Sequence, residues 1–351
     1  MVKRIRYIDI CRAIAIIIIA LGHTFVHSEH CGMIFKFLYS FNVALFFILS
    51  GYTFKVKDNF FKFIKNKFIR IMIPYFIWAT LFAIPFLLLG KSVSSSLNIK
   101  SNFDILTIKK NILYGNGINA ALKQNTALWF LPALFSMECI YYFIIKLFNN
   151  KHNIAKFIVL IIIGYISTKL LKIYLPWGVN TVINIGASTF FLGYLLKEYN
   201  ILDKIFSNWK YMLLILILGI VCYAFDKGNI SYVDYKYANY FLTIVVGACF
   251  SIVILYISYL INENEALEYI GKNTMGILIF HKLPILVVQT KLGVISNLLI
   301  DSNLLVELAI SFLTVALSIF VSLIINYILK KICPITIGEK RTKKIEKKIE
   351  A

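Results

Sequence analysis

Acidic residues are scarce. Only 17 Asp and Glu stand against 37 Lys and Arg in 351 residues, and charged side chains of both signs make up 15% of the chain. Soluble domains carry about 25% charged residues, so a soluble globular fold is excluded. The formal charge of +20 does not point to nucleic acid, because the cations stand mainly between long apolar stretches and form no basic groove. Cysteines are few and scattered. Cys11, Cys31, Cys139, Cys222, Cys249 and Cys333 show no close pairing, which argues against a zinc site or a disulfide framework and for small buried hydrophobes. No internal repeat is present, and no soluble domain fits beside the apolar segments.

Hydrophobic residues are what the chain has in abundance, at 60% of the total and a mean hydropathy of +0.79. Crossing about 30 Å of hydrocarbon takes about 20 helical residues, and on that measure ten spans are predicted. They are Ile8–Val26, Ile34–Phe54, Ile71–Leu89, Ala127–Phe148, Ile154–Leu171, Val182–Tyr199, Tyr211–Phe225, Ala238–Ile261, Thr274–Thr290 and Leu304–Leu329. The expected fold is an all-α polytopic membrane bundle, with a transmembrane domain over 1–337 and a basic tail over 338–351. Lys3, Arg4 and Arg6 before an apolar run resemble the start of a signal peptide. Asp9 and Arg12 interrupt that run and no small-residue cleavage site follows, so the first segment is expected to be a retained helix.

Basic residues set the orientation. With the N-terminus inside, the inner segments hold Lys3, Arg4, Arg6, the run from Lys55 to Arg70, Lys151, Lys156, Lys197, Lys204, Lys210, Lys272 and a C-terminal run from Lys330 to Lys348. The outer segments hold chiefly Lys91, Lys100, Lys109, Lys110, Lys123, Lys227 and Lys236. Both termini are therefore expected in the cytoplasm. Residues 57–70 alternate aromatic and basic side chains, which predicts an amphipathic helix lying on the cytoplasmic headgroups as an anionic-lipid anchor. The long outer loop Lys91–Thr126 carries a possible short helix near Asp104–Tyr114 and is expected to shape a substrate mouth.

A charge at mid-membrane costs at least about 2.5 kcal/mol on insertion scales, so each one is a functional-site hypothesis. Asp9, Arg12, His23, Glu138 and His281 are the candidates. Eleven residues separate Arg12 from His23. At 100° and 1.5 Å per residue they return to within about 20° of one direction, about 16 Å apart along the axis, with Asp9 near the same face. The first helix thus presents an acid and a guanidinium at its cytoplasmic end and an imidazole toward its outer end. A purely structural alternative stands beside this one: Asp9 and Arg12 pair at the headgroup boundary and His23 caps the outer interface.

Tyr7-Ile8-Asp9-Ile10-Cys11-Arg12-Ala13, with His23 in Leu21-Gly22-His23, resembles the opening signature of the acyltransferase-3 family of integral membrane acyltransferases. Four further segments match in order: Phe46-Phe47-Ile48-Leu49-Ser50-Gly51-Tyr52, Arg70-Ile71-Met72-Ile73-Pro74-Tyr75, Leu128-Trp129-Phe130-Leu131, and Ile270-Gly271-Lys272-Asn273-Thr274-Met275-Gly276-Ile277 with His281. The resemblance covers essentially the whole chain and implies transfer of an acyl group, most often acetyl, from cytoplasmic acyl-CoA to a hydroxyl of a cell-surface glycan. It implies that Arg12 and Arg70 receive the CoA pyrophosphate, with Ser50 and Tyr75 in the adjoining motifs, and that His23 acts as general base with Asp9 and Glu138 in its chemistry. Trp129, Asn42 and His281 are then expected on the acceptor side. Guanidinium suits bidentate phosphate recognition, and an imidazole near its ordinary pKa can take a hydroxyl proton.

The chain departs from the family at two points. Ala13 stands where a Gly commonly follows the Arg, and Asn42 stands where related sugar acetylases often have a His. Asn42 cannot act as a base, so a scheme with two histidines would have to recruit His281. Each remaining residue has a structural alternative. Ser50 is either an acyl-carrying nucleophile or, with Gly51, a packing point. Trp129 stacks on a sugar or anchors at the interface. Glu138 polarises His23 or pairs with a buried cation, and His281 is a second partner or a core histidine. His27, His30 and Cys31 lie close together, but in a short loop of turn residues, and no metal is expected.

The function expected is a multi-pass O-acyltransferase of a bacterial-type cell membrane, with membrane lipids and a surface glycan as partners and no nucleic acid. The alternatives are a transporter of a small metabolite on the same fold, with His23 as proton relay, and a silent scaffold. The scaffold is disfavoured by the buried Arg12, His23 and Glu138.

Overall fold

A computed structural model describes residues 5–25, 31–56, 58–96, 104–118, 121–147, 152–226, 230–237, 239–295 and 304–339. His27 and His30, and residues 340–351 of the expected tail, lie outside the described residues. Backbone N–H and C=O groups find no water in hydrocarbon and must be satisfied within the segment, so the apolar runs fold as helices. Among the described residues the one β-type pairing is an isolated antiparallel bridge between Ser231 and Lys236.

The chain begins with α1 (Arg6–Phe25), α2 (Gly32–Tyr39) and α3 (Asn42–Thr53). Helix α4 (Phe60–Lys67) runs through a π turn at Phe68–Met72 into α5 (Ile73–Ser96). Helix α6 (Ile105–Tyr114) precedes α7 (Phe130–Leu147), which opens with a 3-10 turn at Thr126–Trp129. Then come α8 (Asn153–Leu170), the single turn α9 (Val179–Thr181), α10 (Ala187–Glu198), α11 (Ile201–Phe206), α12 (Trp209–Phe225) and α13 (Tyr240–Ile261). Helices α14 (Glu265–Lys272), α15 (Thr274–Phe280), α16 (Lys282–Ile295) and α17 (Leu304–Ile332) follow, with a closing 3-10 turn at Pro334–Ile337.

Among the described residues eight helical stretches are long and apolar enough to cross a membrane. Two shorter apolar helices, Trp209–Phe225 and Thr274–Gln289, occupy the expected seventh and ninth spans. The fold is an all-α polytopic membrane bundle.

Helix α1 lies at its centre, touched by α2, α3, α13, α14, α15, α16 and α17. Small residues set the closest approaches. A side chain at Gly51 would meet the Phe190 carbonyl, and one at Gly193 the Ile48 carbonyl, so α3 and α10 cross backbone to backbone. Gly271 lets α14 rest on the Asp9 carbonyl of α1 in the same way. Helices α8, α12 and α17 lie at the periphery and present Ile, Leu and Phe outward, as lipid-facing helices do.

Three features add what the sequence does not carry. The second span breaks at Ser40–Phe41, where Tyr232 Oη donates to the Ser40 carbonyl at 2.9 Å and Asn42 Oδ1 accepts from the Val43 N–H at 2.7 Å. Helix α4 is amphipathic, as expected, with Phe63 buried and Phe61 and Lys62 exposed. It continues into the third apolar stretch, Phe60–Pro85, and Lys67 turns inward to Glu138 on α7. The chain after α17 also folds back onto the bundle. Trp78 Nε1 donates to the Thr336 carbonyl at 2.8 Å and Lys330 pairs with Glu339 at 2.8 Å.

Candidate active site

Arg12 and Asp9 lie one turn apart on α1, and the guanidinium Nη1 donates to Asp9 Oδ1 at 3.2 Å. Asp9 is buried, whereas the Arg12 side chain keeps 28% of its exposure, enough for a ligand to reach it. Arg12 Nη2 donates to Thr53 Oγ1 at 3.2 Å. The Thr53 hydroxyl is free to accept because its own proton goes to the Leu49 carbonyl at 2.9 Å. Ser50 stands one turn before Thr53 on the same side of α3, half-buried. This end therefore presents a guanidinium held by an acid and a hydroxyl. A separate cavity of about 580 Å³ beside it is lined by Glu263, Glu265 and Glu268 as well as Arg6 and Lys272. Arg6 and Lys272 are already paired with Glu263 and Glu268, which leaves that cavity ill suited to phosphates.

At the other end of α1, the His23 ring lies 5.3 Å from the His281 ring, centroid to centroid and tilted by 34°. His281 occupies the junction of α15 and α16 and is fully buried. Its Nδ1 sits 2.8 Å from the Ile277 carbonyl and 3.1 Å from the Leu278 carbonyl. Carbonyl oxygens only accept, so Nδ1 carries the proton and Nε2 the lone pair. That Nε2 is buried with no hydrogen-bond partner among the described residues.

The supports of this pair are polar and local. Ser318 Oγ on α17 donates to the His281 carbonyl at 2.6 Å. Gln289 Nε2 on α16 donates to the carbonyls of His23 and Thr24 at 3.1 and 3.3 Å, serving groups that a helix end leaves without intrahelical partners. Asn125 caps the turn before α7 through the Ala127 N–H at 3.1 Å, and its Nδ2 donates to the Ile279 carbonyl at 2.7 Å. Those two bonds fasten the turn that carries Thr126 to α15, the helix that ends at His281. Lys282 Nζ then donates to Thr126 Oγ1.

The family model described as an acyltransferase domain, acyltransferase-3, matches residues 5–328. The chain belongs to the acyltransferase-3 family. No curated protein and no solved structure matches it. As a member of that family, the chain is a membrane acyltransferase.

Several residues singled out in the sequence stand elsewhere than expected. Glu138 does not sit beside His23. It accepts from Lys67 Nζ at 2.7 Å and lies twelve residues, about 18 Å of helix, along from Thr126. Asp9 is fourteen residues from His23 on one helix, about 21 Å, and its recorded ion pair is with Arg12. Tyr75 turns away from Arg12: it is fully buried and its Oη donates to the Ile112 carbonyl of α6 at 2.7 Å. Arg70 is exposed on the π turn between α4 and α5. Asn42 is buried at the start of α3. Trp129 is half-buried and packs edge-on to Phe130. Among the described residues no three His, Cys, Asp or Glu side chains converge as metal ligands.

Lys282, Thr126, Gln289 and Thr53 are the members of the site that the sequence does not single out. Lys282 had a readable signal, since it is a full charge inside the ninth apolar segment. Thr126, Gln289 and Thr53 have none, being uncharged and common.

Proposed function

We propose that this acyltransferase moves an acyl group, acetyl by expectation, from cytoplasmic acyl-CoA to a hydroxyl of an extracytoplasmic glycan. The observation that carries the proposal is the disposition of α1. A partly exposed Arg12, held by Asp9 and Thr53, stands at the end assigned to the cytoplasm, and the paired rings of His23 and His281 stand at the other. The separation of about 16 Å along the helix is of the order a pantetheine arm spans. One site can then be reached from both faces, which favours direct transfer over a relay.

In this reading Arg12 binds the donor's phosphates, with Arg70 able to assist at the exposed rim. His23 takes the proton of the acceptor hydroxyl. The acceptor oxygen attacks the thioester carbonyl, the C–S bond breaks, and the proton passes to the departing CoA thiolate. His281 orients the base: its Nδ1 is occupied by carbonyls, so its unpaired Nε2 is the nitrogen open to accept a hydrogen bond. The site belongs in a cell membrane of bacterial type, with lipid around it and a surface glycan above it.

The test is transfer of labelled acetyl from acetyl-CoA to surface glycan in membranes bearing wild type, His23→Ala or Arg12→Ala at matched expression. Wild type is expected to label glycan and both variants to lose the label. No thioester turnover with any glycan fraction would overturn the reading.

A further inference from the structure

Lys282 is unlike the other cations buried in the bundle. Arg12 has Asp9 and Lys67 has Glu138, each with a carboxylate of its own. Lys282 is half-buried and its recorded bond goes to a neutral hydroxyl, Thr126 Oγ1. Among the described residues no carboxylate pairs with it. Its neighbours add no negative charge: His281, which precedes it, has a fully buried Nε2 with no hydrogen-bond partner among the described residues, and the His23 ring lies against His281.

An ammonium withdrawn from water without a counter-ion is destabilising. A neutral sugar hydroxyl offers it little, whereas a carboxylate or phosphate oxygen supplies a charge-assisted bond. We propose that Lys282 binds an anionic group of the acceptor, so that the hydroxyl presented to His23 belongs to an acidic glycan bearing a carboxylate or a phosphodiester. The inference rests on the acyl-transfer reading and narrows its acceptor class. Thr126 holds the half-buried ammonium between the turn that opens α7 and the start of α16, and the anion replaces or joins that hydroxyl.

The experiment compares three acceptors with purified full-length protein and acetyl-CoA: a galacturonic acid trisaccharide, its carboxyl-reduced neutral counterpart, and a glycerol phosphate oligomer. Wild type is expected to favour one of the two anionic acceptors over the neutral one by at least about 10-fold in kcat/KM, and the preferred arm identifies carboxylate or phosphodiester. Lys282→Gln is expected to reduce that preference about 10-fold through KM, and Lys282→Arg to restore part of it. Equal use of all three acceptors by wild type would overturn the proposal. So would an equal fall in kcat for acidic and neutral acceptors in Lys282→Gln, which marks a cation acting on the reacting carbonyl instead. Direct binding of the same three probes is measured without acetyl-CoA. Lys282-dependent binding of an anionic probe without any acyl transfer would keep the anion site and refute the acyltransferase step, and failure to bind either anionic probe would refute the site.

Discussion

Lys67 on α4 and Glu138 on α7 form a 2.7 Å ion pair within the bundle, and it ties the third apolar span to the fourth. Both side chains are mostly withdrawn from solvent, at 26% and 10% exposure. Removing one partner of such a pair typically costs about 3–5 kcal/mol, because the other charge stays buried alone. Glu138→Gln and Lys67→Met are each expected to lower the thermal midpoint in detergent sharply. The double variant Lys67→Met, Glu138→Leu is expected to recover much of the loss. A Glu138→Gln protein with an unchanged midpoint and no activity would return Glu138 to the chemistry.

The break in the second span depends on Tyr232. Its hydroxyl serves the Ser40 carbonyl at 2.9 Å, and Tyr232 is itself buried. Tyr232→Phe leaves a buried carbonyl without its donor, a change worth about 1–3 kcal/mol. The expected result is a lower midpoint with little change in KM for acetyl-CoA. Stability equal to wild type would show that the break is satisfied by another route.

Asp226, beyond the end of α12, is buried and accepts from Thr243 Oγ1 at 3.1 Å and the Asn239 N–H at 3.2 Å. Burial raises its pKa above the ordinary carboxyl value, although the two hydrogen bonds pull it down. A folded-state pKa raised above the unfolded one gives stability that is full below the ordinary value and lost as pH rises through the raised one. Asp226→Asn removes that loss. Thermal midpoints measured across the acidic range are expected to fall with rising pH more steeply in wild type than in Asp226→Asn. Parallel curves would contradict the assignment.

The spans were legible because uninterrupted runs of Ile, Leu and Phe admit only helices in lipid, and the Asp9–Arg12 pair was legible because three residues on one helix are neighbours. Phase along α1 likewise placed Arg12 and His23 toward one side at opposite ends. It could not say which residues of other helices meet them. His281 is held beside His23 with the help of bonds from Asn125, Gln289 and Ser318, which join residues more than thirty positions apart. The alternating Phe and Lys of residues 57–70 describe an amphipathic helix, but that pattern could not name Glu138, 71 residues away, as the partner of Lys67.

The most direct test of the account is the steady-state kinetics of His23→Ala in purified protein, with acetyl-CoA and the best glycan acceptor, beside Arg12→Ala. General base catalysis contributes about 10²–10⁴-fold. His23→Ala is expected to lose that much in kcat with KM for acetyl-CoA nearly unchanged, and Arg12→Ala to raise KM for acetyl-CoA. A His23→Ala enzyme that keeps its kcat would contradict the assignment of His23 as the base.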